Sequence, residues 1–360
     1  MKILAVTGAS GGHIFPALSF LNSFNARESI DQILLVLPSR SKKLPLDLNP
    51  KNTVFIESVK LSSLLSRDFI KELIKVFKSF LQGLRIFFDF KPDIVVGFGS
   101  IDSVFLLMLA WFLRVKTVIH EQNVIPGKAN ILLARFADKV CISFFETSRY
   151  LSNYNLKTAL TGNPIRQDLI SVSKQEARGF FGIDENRFTI LVMGGSQGSE
   201  HINRVFQGIL KSVHNKEFQV IHITGNDQLK EVESNYRELG IKAVVFSFLK
   251  KVNFAFCAAD IALTRSGATT ISELIYFKLP AVMSPYPFAG KHQLENAMIL
   301  EQKGCAVIVK DSDLDSQVFA DVIKGLIGNY DKINLMRCGY KSFPESNAAE
   351  KLKEAVLSVY

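Results

Sequence analysis

The stretch Arg265-Ser266-Gly267-Ala268-Thr269-Thr270-Ile271-Ser272-Glu273-Leu274 joins a short apolar run to a helical pattern. A strand, a small-residue turn and a helix start with free backbone N–H groups make a site for phosphate. Glu273 falls about one turn into that helix, where a carboxylate can accept from the paired hydroxyls of a ribose. Phosphate at the helix mouth and an acid behind it describe a nucleotide. The competing reading is an ordinary strand-to-helix turn with Arg265 and Glu273 as surface charges. A second such turn, Thr7-Gly8-Ala9-Ser10-Gly11-Gly12-His13, follows the apolar residues 3–6. His13 stands at a helix start, whose positive end favours the neutral imidazole, a form able to take a proton. The plainer role for it is capping or packing. A third block, His120-Glu121-Gln122-Asn123, closes another apolar run with four polar side chains. Open α/β sheets bind ligands there, outside the carboxyl ends of their strands.

The elements that must position these groups repeat along the chain. Strand patterns at residues 3–6, 33–37, 93–97, 116–119 and 139–143 alternate with helical patterns at 14–24, 61–90 and 104–113. Residues 161–166, Thr-Gly-Asn-Pro-Ile-Arg, break the alternation and read as an interdomain crossing. After Arg187 the plan restarts with a strand at 188–193, the turn Gly194-Gly195-Ser196-Gln197-Gly198-Ser199 and a helix. Strands follow at 220–224, 244–246, 260–263, 280–284 and 306–309. Two halves that each open strand, glycine turn, helix predict an α/β protein of two Rossmann-like domains facing across a cleft. The expected boundaries are 1–164, 165–340, and 341–360 for a C-terminal helix crossing back to the first domain. Asp311-Ser312-Asp313 has the DxD form of some metal sites but reads as a loop and helix N-cap.

A chain of 360 residues suits two such domains. A formal charge of +9 suits an anionic partner: nucleotide phosphates, anionic lipid or nucleic acid. The four cysteines are far apart and form no CxxC pair, which fits buried thiols in a reducing cytosol. The first apolar run is too short for a signal peptide. None approaches the ~20 residues of a spanning helix, so the protein is expected not to be integral to a membrane. Within residues 61–90, Lys71, Lys75, Lys78 and Arg85 form a row beside Phe69, Phe77, Phe80, Phe87 and Phe88. That is the pattern of a core helix with a solvated face, and also of adsorption to an anionic membrane. The turn at 7–12 is similar to the opening of short-chain dehydrogenases. No Tyr precedes a Lys by four residues, however, and no third glycine completes the dinucleotide fingerprint, so NAD is set aside.

Taken together, the blocks follow a known order. They are Gly-Gly-His-Ile-Phe-Pro-Ala (11–17), His-Glu-Gln-Asn-x-x-Pro-Gly (120–127), Thr-Gly-Asn-Pro-Ile-Arg (161–166), Gly-Gly-Ser-Gln-Gly (194–198), Arg-Ser-Gly-Ala-x-Thr-x-x-Glu-Leu (265–274) and His-Gln-x-x-Asn-Ala (292–297). Over residues 3 to about 300 the chain resembles the MurG family, peptidoglycan N-acetylglucosaminyltransferases of the two-domain GT-B fold. The resemblance implies inverting transfer of GlcNAc from UDP-GlcNAc to the 4-hydroxyl of the lipid-linked muramoyl-pentapeptide, converting lipid I to lipid II. It also implies a peripheral protein on the cytoplasmic face of the plasma membrane.

By position, the resemblance implies that Ser10, Gly11, Gly12 and His13 face sugar and acceptor. Asn123 should meet the GlcNAc, Arg166 the nucleotide-sugar, Ser196 the diphosphate, and the backbone near Leu249 the uracil. Ala268, Thr269, Thr270, Ile271, Ser272 and Glu273 should receive phosphate and ribose, and His292 and Gln293 the sugar hydroxyls. Thr7-Gly8-Ala9-Ser10 replaces the family's Gly-Gly-Thr run but keeps a hydroxyl, and His292 stands where some members have Gln. The expected partners are UDP-GlcNAc, a lipid-linked acceptor and an anionic phospholipid surface, without nucleic acid. No cofactor is expected, and Mg²⁺ is assigned no role. The rival readings are a glycolipid synthase transferring a hexose to diacylglycerol, a nucleotide-sugar epimerase, and a non-catalytic nucleotide-binding or membrane scaffold.

Overall fold

The computed structural model describes residues 1–24, 32–43, 48, 52–58, 69–166, 169–195, 198–213, 217–225, 228–344 and 347–360, without the side chains of 43 and 69–73. The chain divides into two compact units, Met1–Arg166 with Asn347–Tyr360, and Gln167–Ser346.

Among the described residues the first unit has the parallel strands β1 (Lys2–Val6), β2 (Gln32–Pro38), β3 (Thr53–Ile56), β4 (Ile94–Gly97), β5 (Lys116–Glu121), β6 (Lys139–Ile142) and β7 (Thr158–Leu160). Their order is β3-β2-β1-β4-β5-β6-β7. β1 is apolar throughout and sits between β2 and β4, with Ile3 level with Ile33 and Ile94. A continuous apolar strand needs cover on both faces. On one face Leu4 and Val6 join a core completed by α2 (Phe69–Phe90), α3 (Ile101–Phe112) and α4 (Lys128–Leu133). On the other, Ile3 and Ala5 pack with Ile14, Ala17 and Phe20 of α1 (Gly11–Asn22). Leu352, Ala355 and Val356 of the last helix, Ala348–Leu357, complete that layer. The buried Lys353 fastens this helix by donating to the Ser23 carbonyl oxygen at 3.0 Å.

The second unit repeats the plan. Its strands are β8 (Phe188–Met193), β9 (Phe218–Ile223), β10 (Lys242–Phe246), β11 (Ile261–Thr264), β12 (Ala281–Met283) and β13 (Ala306–Ile308), ordered β10-β9-β8-β11-β12-β13. The helices are α5 (Lys174–Phe181), α6 (Glu200–Leu210), α7 (Leu229–Glu238), α8 (Val252–Ala258), α9 (Ala268–Phe277), α10 (His292–Glu301), α11 (Gln317–Lys324) and α12 (Tyr330–Gly339); the last helix of the chain is α13. In each sheet the strand order reverses once, between β1 and β4 and between β8 and β11. Crevices at the carboxyl ends of such pairs are where doubly wound sheets bind ligands.

Two Rossmann-like parallel α/β units are the fold class that the sequence predicts. Some particulars differ. The strands at Thr53–Ile56 and Thr158–Leu160, of four and three residues, are too short to stand out in the sequence. Asp311–Asp313 is a 3₁₀ turn, and the cap of α11 is Ser316, so Asp311-Ser312-Asp313 does not cap a helix. Cys141 and Cys305 are buried as expected, whereas Cys257 is half-buried and Cys338 exposed. Among the described residues no helix is long and apolar enough to cross a membrane.

Candidate active site

His13 is the third residue of α1, in the turn that leaves β1. Ser10 is the extended N-cap, and its carbonyl oxygen accepts from the backbone N–H groups of His13 and Ile14 at 3.0 and 3.1 Å. The imidazole lies between two glycines from either side of the strand-order reversal. A Cβ on Gly8 would stand 2.8 Å from His13 Cδ2, and one on Gly99 would stand 3.2 Å from Cε1. A side chain at Gly8 would displace the ring, and one at Gly99 would press on it from a backbone at φ +78° that favours glycine. The turn after β4 then places Ser100 at φ +75°, a backbone state that costs a non-glycine residue about 1–3 kcal/mol. Ser100 Oγ donates to Asp102 Oδ2 at 3.0 Å, and Arg40 holds the same oxygen at 2.6 Å.

The polar end of β5 reaches the same place. His13 Nδ1 and Gln122 Oε1 are 3.0 Å apart, Gln122 Nε2 lies 3.0 Å from His120 Nδ1, and His120 Nε2 lies 2.9 Å from the Gly162 carbonyl oxygen. His120 is wholly buried, and burial lowers its pKa to about 4. The hydrogen bond to Gly162 opposes that shift, and the nearby His13 adds to it. Glu121 organises the following loop. One carboxylate oxygen accepts from Asn123 N and Nδ2 at 2.8 and 3.2 Å, the other from Gly127 N and Asn130 Nδ2 at 2.9 and 2.8 Å.

In the second unit, Arg265 follows β11 and is buried. Its Nη2 donates to Ser199 Oγ, the cap of α6, at 2.9 Å. Nη1 donates to the Ser284 carbonyl oxygen at 3.1 Å and to Asp311 Oδ1. One guanidinium thus joins the loops that leave β8, β11, β12 and β13. The reading of Arg265 as a surface charge is corrected by this burial. Asp311 Oδ2 also meets His201 Nδ1 at 3.1 Å, so this acid serves the clamp.

Beside Arg265, Gly267 caps α9 in an extended conformation. Ala268, Thr270 and Glu273 are buried on that helix, and Thr269 Oγ1 is buried without a hydrogen-bond partner among the described residues. Gln293 Oε1 accepts from Ser266 N at 3.2 Å and from Tyr286 N at 2.9 Å, bracing the α9 start against the loop before α10.

Comparison with known proteins decides what these arrangements belong to. The glycosyltransferase family 28 N-terminal domain matches residues 3–142, and the family 28 C-terminal domain matches residues 189–356. Over the full length of both chains, the sequence is 34% identical to the "UDP-N-acetylglucosamine--N-acetylmuramyl-(pentapeptide) pyrophosphoryl-undecaprenol N-acetylglucosamine transferase" of Caldanaerobacter subterraneus subsp. tengcongensis. The Desulforamulus reducens enzyme of the same name is 32% identical over 100% of this chain and 98% of its own. The chain belongs to the MurG family. In fold it is similar to the crystal structure of Acinetobacter baumannii MurG, with a TM-score of 0.76 at 23% identity and 99% of each chain covered. It is also similar to a UDP-GlcNAc 2-epimerase from Neisseria meningitidis bound to UDP-GlcNAc, with a TM-score of 0.67 at 16% identity, covering 99% of this chain and 100% of that one.

The described residues that the MurG resemblance singles out lie in segments that follow strands of the two sheets. Ser10, Gly11, Gly12 and His13 open α1, and Asn123 follows Gln122 at the end of β5. Arg166 lies at the end of the first unit's main segment, its guanidinium 5.2 Å from the Phe15 ring. Ala268, Thr269, Thr270, Ile271, Ser272 and Glu273 form the first six positions of α9, with Gln293 bonded to Ser266 just before them. His292 is the first residue of α10, and Leu249 is half-buried in the loop after β10. Ser196 lies outside the described residues. The sequence reading did not isolate the Arg265 clamp, Ser100, Asp102 or the individual parts of His120 and Gln122. A buried arginine is visible only once its partners, 19 to 66 residues away, are brought to it.

Two buried histidines make stability acid-sensitive. His120 titrates near 4, and His222, buried between Tyr236 and Asn203 in the second unit, near 3. Both values lie below that of an unfolded histidine, about 6.5. Below that pH the unfolded chain binds protons that the folded chain refuses, so stability is complete above about 6.5 and declines toward 4. The urea midpoint should fall between pH 7 and pH 4.5, and His120→Gln should make that fall shallower. A midpoint flat over this range would contradict the neutral buried state.

Proposed function

We propose that this MurG-family chain transfers GlcNAc from UDP-GlcNAc to the 4-hydroxyl of undecaprenyl-diphospho-N-acetylmuramoyl-pentapeptide, lipid I, with inversion, and so forms lipid II. The observation that carries this is the identity spanning both halves with transferases named for that reaction. The site chemistry supports it. At the second sheet, the start of α9, Ala268 to Glu273, offers N–H groups to phosphate, with Glu273 accepting from ribose hydroxyls. In the second unit Ser196 serves the diphosphate, the backbone near Leu249 the uracil, and His292 and Gln293 sugar hydroxyls; in the first unit Asn123 serves the GlcNAc and Arg166 the nucleotide-sugar. At the first sheet, His13 takes the proton of the acceptor hydroxyl as its oxygen bonds to C1. The C1–O bond to the diphosphate breaks with its electron pair, and UDP leaves from the opposite face. Helix N-termini and hydroxyls stabilise the charge that UDP gains.

The reading also places the enzyme peripherally on the cytoplasmic face of the membrane that holds the acceptor. α2 exposes Ile74, Phe77, Leu81 and Phe88 alongside Lys78 and Arg85, and the end of α3 exposes Trp111 and Phe112 near Arg114. Exposed rings beside bases suit an anionic lipid surface, each base contributing about 1 kcal/mol within a Debye length of about 8–10 Å. The side chain of Lys71 lies outside the described residues.

Transfer of label from UDP-GlcNAc to a lipid I analogue tests the activity, with UDP-Glc and UDP-GalNAc as controls. Turnover of UDP-GlcNAc without acceptor would favour an epimerase instead. His13→Ala should lower turnover by about 10²-fold or more while leaving UDP binding nearly intact; near-normal turnover of a folded variant would remove His13 as base. Glu273→Ala should weaken UDP binding by roughly 1.5–3 kcal/mol in calorimetry. An unchanged dissociation constant would take Glu273 out of the ribose site. The protein should bind anionic vesicles, with partial reversal by salt, and not zwitterionic ones. Equal partitioning onto both would refute the electrostatic contact.

A further inference from the structure

The hydrogen bonds that end on His13 have a direction, and it can be followed from their far end. The Gly162 carbonyl oxygen can only accept, so His120 Nε2, 2.9 Å away, carries a hydrogen. His120 is fully buried and neutral, since burial lowers its pKa to about 4, and its Nδ1 is therefore a lone pair. Gln122 Nε2 lies 3.0 Å from that lone pair and 3.0 Å from the His120 carbonyl oxygen. Two acceptors on one side fix the amide nitrogen there and turn Oε1 to His13 Nδ1 at 3.0 Å. An amide oxygen only accepts, so His13 Nδ1 carries the hydrogen. In the neutral ring Nε2 is then the lone pair, and among the described residues it has no hydrogen-bond partner.

We propose that Gln122, oriented by His120 and the Gly162 carbonyl, is a positioning residue that holds His13 as its Nδ1–H tautomer and presents Nε2 to the attacking hydroxyl. This rests on the reading of His13 as the base. In the reaction the hydroxyl proton passes to Nε2 while the hydroxyl oxygen bonds to C1 and UDP leaves with the electron pair. The imidazolium keeps its Nδ1–H on Gln122 Oε1, and no proton travels further, because a primary amide between two fixed partners has none to exchange. His120 therefore orients and does not relay. The two glycines flanking the ring, Gly8 and Gly99, leave it the space to keep that orientation.

The test is the tautomer itself, read from the ring ¹⁵N shifts and couplings of ¹⁵N-histidine-labelled full-length protein at mildly alkaline pH. His13→Gln identifies the His13 signals. Wild type should show His13 as Nδ1–H, and Gln122→Met should move it toward Nε2–H. That variant should also lose about tenfold or more in kcat with little change in the KM for UDP-GlcNAc. Because Gln122 acts through His13, the double variant His13→Ala/Gln122→Met should be no slower than His13→Ala alone. Losses that multiply would mean that Gln122 only supports the fold, and would overturn the proposal. A wild-type Nε2–H signature with a slow His13→Ala would overturn the positioning role and leave the base. Near-normal turnover of His13→Ala would overturn the base, and the positioning role with it. If Gln122→Met does not fold, the wild-type spectrum still decides.

Discussion

Arg265 is the contact on which the second unit's working edge depends. Its guanidinium is buried and spends its donors on Ser199, Ser284 and Asp311, each from a different loop. A guanidinium presents donors in a planar fork and keeps its charge when buried, which no lysine reproduces. The loops after β8, β12 and β13 are held relative to α9 by that fork, so the α9 start faces outward from a fixed frame. Gln293 adds a neutral brace between Ser266 and Tyr286. The N–H groups at the start of α9 are thus held in place by contacts to Ser199, Ser284, Asp311 and Tyr286.

The first unit solves a different problem with different means. The proposed base, His13, has neutral neighbours: an amide, a second imidazole and a backbone carbonyl. Ionic groups are present but kept to supporting tasks. Glu121 gathers four donors from the loop behind Asn123, and Asp102 with Arg40 holds the strained Ser100 turn. The strain at Ser100 is tolerated where the turn closes on His13, which is where strained backbone is usually found in folded enzymes.

Much of this was legible in the sequence because it is local. Apolar runs such as Ile3–Val6 and Phe188–Met193 that end in glycine turns specify buried parallel strands and the edges where ligands sit. His13 and Gly267 could be placed at helix starts for the same reason. The block 120–123 could be placed at a strand end, but the separate tasks of its members could not: His120 is oriented by the carbonyl of Gly162, 42 residues on. The competing reading of Arg265 as a surface charge fails because loops distant in sequence close over it. The strands β3 and β7 were missed because they are only four and three residues long.

The last helix closes one face of the first unit, since Leu352, Ala355 and Val356 lie in the same layer as Ile3 and Phe20. A ribosome delivers the chain from its amino end, so the nascent first sheet emerges with that layer open. It stays open while the whole second unit is made. During that interval Ile14, Ala17 and Phe20 lack part of their cover, and a partly covered apolar face is what chaperones hold and what aggregates. The second unit is one continuous stretch, Gln167–Ser346, and can close once the buried Tyr340, just after α12, has emerged. Biosynthesis therefore completes the two units in the reverse of their order in the chain.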